Sequence, residues 1–414
     1  MSHRHAICLV VDGLRASALG AYGNTSSPTP ALDALASRAL VADWMWADSP
    51  HQAEFYRSVW QGVHSLRAAD QRDSLLRQFQ QAKVRQWLVS DDPWMTHQAA
   101  TLPLDEALLF ENEADRAADT MEDSTLGRFF AEAVERLPQW RQDVEGCSSL
   151  AWLHCRGLYG PWDAPWSLRE DLLDDEDPAA ADFVQPPTAL HDIEDPDVLL
   201  NYRTAYAAQV SLLDACIGAF VSAVETLFAG SEMLVLLASS RGFALGEHGS
   251  VGSDCVELYG ERLHLPWFVY PCGNTTPLPR WSSLSQPADI GCTLLDWFGI
   301  AETAGRSDGI SCVPALSGTV GDDRRVAVSA NAQGERVVRT PAWMLRKQSS
   351  DQGAEVAKLF TKPDDRWESN DVAELCPQIV EQLTTLLADY EQCCKSGKSL
   401  QLSLSNDELV APSR

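Results

Sequence analysis

Residues 7–11 (ICLVV) form a run with no polar side chain that stops abruptly at Asp12-Gly13. An apolar run without alternation describes a strand covered on both faces, the kind found inside a parallel sheet. Residues 233–238 (MLVLLA) and 267–270 (WFVY, after Pro266) share the property, and a further strand is expected at 150–155. Between them lie stretches with helical spacing. Thr29 is the expected N-cap and Pro30 the first-turn proline of a helix that aligns Leu32, Leu35, Ala36, Ala39 and Leu40. Helices are also expected at 74–83, 124–137, 198–227 and 288–298, the last stopped by Gly299.

This alternation predicts an α/β fold, a mostly parallel, doubly wound sheet with helices on both faces, over residues 1–318. Ligands in such folds sit outside the carboxyl ends of the strands. Topology alone therefore places Asp12, His154 and residues 239–241 near a pocket. After Gly318 the rhythm changes to short strands at 325–329, 336–339, 343–347 and 356–361, then a helix at 377–393. Residues 319–395 are expected to be a small antiparallel α+β subdomain, and the polar tail 396–414 to be disordered.

The 414 residues carry 32 basic and 59 acidic side chains, a net charge of −27. That balance excludes a nucleic-acid partner, which needs clustered Lys and Arg. No apolar run reaches the roughly 18 residues of a membrane span, and the apolar stretch 6–11 is short for a secretory leader. The 11 cysteines show no CxxC spacing. The expectation is a cytoplasmic protein with reduced thiols and no zinc site. The acid-rich stretch 170–177 reads as a solvated loop. The oligomeric state stays open.

The segment VVDGLRASALGAYGNTSSPTPALDALASRAL is similar to the N-terminal signature of the sulfatase family, within the alkaline-phosphatase-like superfamily. LLASSRGFALGEHGSVG resembles that family's S-D-H-G…G-E-H-G segment. YGERLHLPWFVYPCG, ADIGCTLLDWFGI, VVRTPAWMLRK and LFTKPDDRWESNDVAE follow in the family's order. The resemblance implies a formylglycine nucleophile made from Cys or Ser, a calcium ion held by acidic residues, and Lys and His at the leaving group. A cation offsets the charge that develops on the ester, and the nucleophile must be stronger than water.

The residues at those positions differ. The family's motif ends ten residues after the nucleophile in a Gly; with Gly62 in that place the nucleophile position is Gln52, and aligning Pro50 instead gives Asp48. Neither residue can become formylglycine, and Ser49 and Ser58 lie out of register. The first metal ligand is Asp12, but the second is Gly13, and the later pair is Ser240 and Arg241. The family His falls on Tyr159, and the Lys after GEHG has no counterpart. His248 survives in a structural setting, and His154, on an apolar strand, reads as a core histidine. Arg241 is expected to stand where calcium would, paired with Asp12, so no cofactor is expected and the metal site is reduced to Asp12.

These substitutions together predict a catalytically degenerate homologue that binds a small anion, or a sulfated or phosphorylated ligand, with Arg241, Trp162, His154 and Gln52 near the pocket. The alternative is a divergent sulfate or phosphate ester hydrolase with a non-standard nucleophile such as Asp48. A third reading, a scaffold, rests on the 14 tryptophans, for which packing is the default role.

Overall fold

The structure, a computed structural model, describes residues 3–68, 74–255, 257–301, 307–319, 323–349, 355–400, 402, 404 and 407–410. In chain order the elements used below are β1 (Arg4–Val11), α1 (Pro30–Ala36), β2 (Leu40–Trp46), α2 (Gln52–Gln61), β3 (Arg85–Ser90), α3 (Pro93–Ala99) and β4 (Glu106–Leu109). They continue with α4 (Thr125–Asp143), β5 (Ser149–Cys155), α5 (Pro196–Leu227), β6 (Glu232–Ser239), β7 (Trp267–Pro271), α6 (Ala288–Trp297), β8 (Ala327–Ala330), β9 (Arg336–Arg339), β10 (Trp343–Ser349), β11 (Glu355–Thr361) and α7 (Pro377–Ser396). Contacts group the chain into two units, one of Met1–Val41, Leu76–Cys255 and Pro266–Pro279, the other of Ala42–Leu75, Val256–Leu265 and Arg280–Arg414.

The first unit holds the sheet β7-β6-β1-β5-β3-β4. β1 is central and pairs in parallel with β6 and β5 along its length. Its side chains from Ala6 to Val11 are at most 1% exposed, which is why the sequence shows no polar alternation there. β7 runs antiparallel to β6, and Leu40 and Val41 pair with Val269 and Phe268. α5 packs on α1 and α4. By length and composition α5 could cross a membrane, a property the run-length criterion had missed because polar residues interrupt it; here 56% of that apolar window is buried inside the protein.

The N-terminus of α1 departs from expectation. Thr29 sits at the cap position, yet its hydroxyl accepts from the Gly20 N–H at 2.9 Å. The free N–H groups of Ala31 and Leu32 donate instead to the Asp214 carboxylate of α5, at 3.1 and 2.7 Å. A carboxylate facing two helix N–H groups is the stronger cap.

In the second unit β8, β9, β10 and β11 form an antiparallel meander. Its apolar face joins Ile379, Leu383, Leu387 and Tyr390 of α7 in one core. Residues 42–46 of β2 pair in parallel with Trp281–Ser285 and antiparallel with His264–Leu265. α6 crosses α2 at Gly291, where a Cβ would meet the Val59 carbonyl oxygen at 2.3 Å. The stretch 319–395, expected as a small subdomain, falls in one unit with residues 42–75, 256–265, 280–318 and 396–414. Of the tail 396–414, Leu400 and Leu409 pack on this core and the Trp343 Nε1–H donates to the Glu408 carbonyl at 2.8 Å; residues 401, 403, 405, 406 and 411–414 lie outside the described residues.

Candidate functional site

In the first unit, the carboxyl ends of β1, β3, β5 and β6 bring Asp12, Asp91, Asp92, His154, Tyr159, Ser240 and Arg241 into one neighbourhood. Asp12 leaves β1 with its backbone pinned: its N–H donates to the Cys155 carbonyl at 3.0 Å and its carbonyl accepts from Leu158 N–H at 2.8 Å. Gly13 follows at φ +80° and donates to the Arg241 carbonyl at 3.1 Å. A Cβ on Gly13 would lie 2.8 Å from Cδ2 of Tyr159 and 2.9 Å from Cβ of Leu158. The backbone conformation and the neighbours both require glycine here.

The fully buried Asp12 carboxylate has its partners just beyond the end of β6. Arg241 donates to Oδ2 from Nη2 at 2.7 Å and from Nε at 3.2 Å, and the Ser240 hydroxyl donates to Oδ1. The guanidinium carbon lies 3.6 Å from the centre of the Tyr159 ring, whose hydroxyl is tied to the Ser253 carbonyl at 3.1 Å. Burial works against the charged guanidinium, but Asp12 outweighs it and holds Arg241 above its ordinary value. Arg241 thus puts a cation on the carboxylate that opens the site.

Asp92 and His154 complete the neighbourhood. The Asp92 carboxylate caps α3, accepting from Met95 N–H at 3.0 Å, and its Oδ2 faces His154 Nε2 at 3.8 Å. Burial pushes the imidazole down, yet the carboxylates of Asp92, Asp12 and Asp91 overcome it and His154 lies above its ordinary value. Burial raises Asp91, which accepts from Arg156 N–H at 2.9 Å and from the Asn112 amide at 3.1 Å. One ligand atom each from Asp12, Asp92 and His154 lies within 4.8 Å of the others, and all three residues are buried.

Asp92 stands beside Asp12, to which the sequence reading confined the metal ligands. His154, read as a core histidine, is fully buried and faces carboxylates. The missed signal is WLVSDDPW, a short apolar run ending in acids as β1 ends in Asp12. Trp162, expected near the pocket, is fully buried, and its Nε1–H donates to the Leu158 carbonyl at 2.9 Å. His248 lies half-buried in the turn between Ala244–Leu245 and Ser250–Gly252.

The two candidate nucleophile positions belong to the second unit. α2 begins at Gln52 and ends at Gly62, which is left-handed at φ +67°. Asp48 is 1% exposed and accepts from the Ser58 hydroxyl at 2.5 Å and Ser65 N–H at 2.8 Å; burial raises its pKa. Ser49 and Ser58 are buried too, and Ser58 is committed to Asp48.

Calcium needs six to eight oxygen ligands. Here both oxygens of Asp12 are taken by Arg241 and Ser240, and His154 offers nitrogen, so these residues do not fit that ion. Asp92 and His154 remain as one carboxylate and one imidazole beside the committed Asp12.

Residues 4–300 match the family model described as Sulfatase. Over 165 residues, 39% of this chain, the sequence is 27% identical to iduronate 2-sulfatase of Mus musculus, and that match spans 28% of the mouse protein. The human protein of the same name is 32% identical over 84 residues, 20% of this chain and 15% of its own length. The matches thus span less than a third of these relatives. Among solved structures, a phosphonate monoester hydrolase of Agrobacterium radiobacter aligns with TM-score 0.75 and 16% identity, over 94% of this chain and 95% of its own. A protein solved with its substrate D-glucosamine-2-N,6-O-disulfate aligns with TM-score 0.75 and 14% identity, over 97% of this chain and 100% of its own.

Proposed function

The chain belongs to the sulfatase family, and from that premise we propose that it binds a sulfated or phosphorylated ligand at the strand ends of its first unit without hydrolysing the ester. The observation that carries this reading is the Arg241–Asp12 pair. Arg241 spends Nε and Nη2 on Asp12, while Nη1 has no partner among the described residues, on a side chain 19% exposed. A guanidinium fixed by a carboxylate and stacked on Tyr159 is a preorganised anion hook. The start of α2 at Gln52 and its end at Gly62 support the register that puts Gln52 at the nucleophile position, where no formylglycine can form. The ligand chemistry fits the disulfated sugar and the phosphonate ester class named for the structural neighbours. A cytoplasmic setting with reduced thiols is part of the same proposal.

The test is calorimetry with inorganic sulfate beside an aryl sulfate and aryl phosphate assay. Saturable binding that Arg241→Ala removes, with turnover no faster than buffer, is expected. Turnover that tracks pure protein and is lost in Asp12→Ala would overturn the reading. A second reading, a divergent hydrolase with a non-standard nucleophile, is favoured by the Asp12, Asp92 and His154 cluster. It requires zinc- or manganese-dependent turnover that Asp92→Ala abolishes.

A further inference from the structure

The second unit contains a buried cation that its own residues leave unsatisfied. Trp44 and Trp46 project from the same face of β2, two positions apart. Arg339, at the end of β9 and 1% exposed, places its guanidinium 5.1 Å from the Trp44 ring centre and 6.0 Å from that of Trp46. His264, opposite Trp46 in the pairing, stacks on both rings.

Among the described residues the guanidinium makes one long hydrogen bond, from Nη1 to the Trp343 carbonyl at 3.4 Å. Its Nε is buried without a partner among the described residues, and so is Nε1 of Trp46. The acid that offsets its charge, Glu368, is already spent: it closes an ion pair with Lys362 and accepts from Gly260 N–H at 2.8 Å. Burial lowers Arg339 to about 9. Burial also lowers His264 to about 4, with Arg339, Arg366 and Lys362 adding to the effect. Of these three cations Lys362 has its own carboxylate in Glu368, and Arg339 has no ion pair among the described residues.

Indole faces offset part of the cost of a buried guanidinium. They supply no acceptor for its N–H groups, and an uncompensated buried charge is among the most expensive things a fold can carry. What the place lacks is an acceptor with negative charge. We propose that Arg339 and Trp46 are the donors of an oxyanion-binding site, for a sulfate, phosphate or carboxylate group taken up beside the guanidinium. This site lies in the second unit and stands independently of the one at Arg241.

The experiment titrates the whole chain with sodium sulfate, phosphate and acetate against chloride at constant ionic strength. Melting temperature and calorimetry are read for wild type, Arg339→Met, Trp46→Phe and Arg241→Ala. Arg339→Met is expected to abolish one saturable site that Arg241→Ala retains. Trp46→Phe, which deletes a single N–H donor, is expected to weaken it about 10-fold. The anion that binds best identifies the source. Equal binding by wild type and Arg339→Met overturns the proposal, as does a non-saturating rise shared by every variant, the generic effect of excluded salts. Should Arg339→Met fail to fold, an unchanged affinity in Trp46→Phe overturns it.

Discussion

A carboxylate that is fully buried cannot be left alone, and this decides what happens at Asp12. Arg241→Ala should destabilise the protein by about 3–5 kcal/mol, because the buried Asp12 loses its charged partner. The double variant Asp12→Ala with Arg241→Ala should recover part of that loss, and urea titration of all four species reads the coupling. Additive losses would show that the pair contributes nothing beyond its separate members. Millimolar calcium should not raise the melting temperature, whereas an ion at 100 times its dissociation constant would stabilise by about 2.7 kcal/mol. A calcium-dependent rise lost in Asp12→Ala would return the site to metal binding. The partnership of Asp12 with Arg241 was readable from sequence because both follow apolar strands within family motifs. Asp92 was not: β3 is short, with Arg85 and Gln86 in its first half, and Asp-Asp-Pro reads as a loop. Its nearness to His154 follows from β3 lying beside β5, a fact of strand order that no local pattern encodes.

At the level of elements, strands buried on both faces announced themselves and mixed ones did not. β5, β6 and β7 lie within a residue of their expected bounds and β1 starts three residues earlier than expected, while β2, with Asp43 in its middle, was passed over. The cap of α1 was assigned to Thr29, since a local reading cannot see Asp214, 182 residues from Leu32. Asp214→Ala should leave the Ala31 and Leu32 N–H groups unpaired and cost about 1–3 kcal/mol, measurable by denaturant midpoint. His5, in β1, makes a different prediction. Burial, helped by Arg141 and His3, lowers its pKa from 6.5 to about 4, and it is 4% exposed. The unfolded imidazole therefore takes up a proton first. Stability from this group is complete above about pH 6.5 and is lost as pH falls toward 4. Wild type should lose about 2 kcal/mol more than His5→Asn between pH 7 and pH 5. Parallel curves for the two proteins would show that His5 does not titrate in this window.

Over the whole molecule the surplus of acid sets the background for every anion experiment. At 10 mM salt the charges act over about 30 Å, at 150 mM over about 8 Å. With a net charge of −27, self-repulsion should outweigh exposed ion pairs, so the melting temperature should rise between those two salt concentrations in sodium chloride. A fall would mean that favourable surface pairs dominate. Anionic ligands should also associate faster as salt screens that field, the reverse of a basic binding protein. Gly13 carries a consequence of another kind. Its side-chain space is filled by the ring that stacks on Arg241. An acid placed there collides with Tyr159, and trimming Tyr159 to make room loosens the guanidinium. A carboxylate at position 13 and the Tyr159–Arg241 stack therefore exclude one another: one volume serves either, never both.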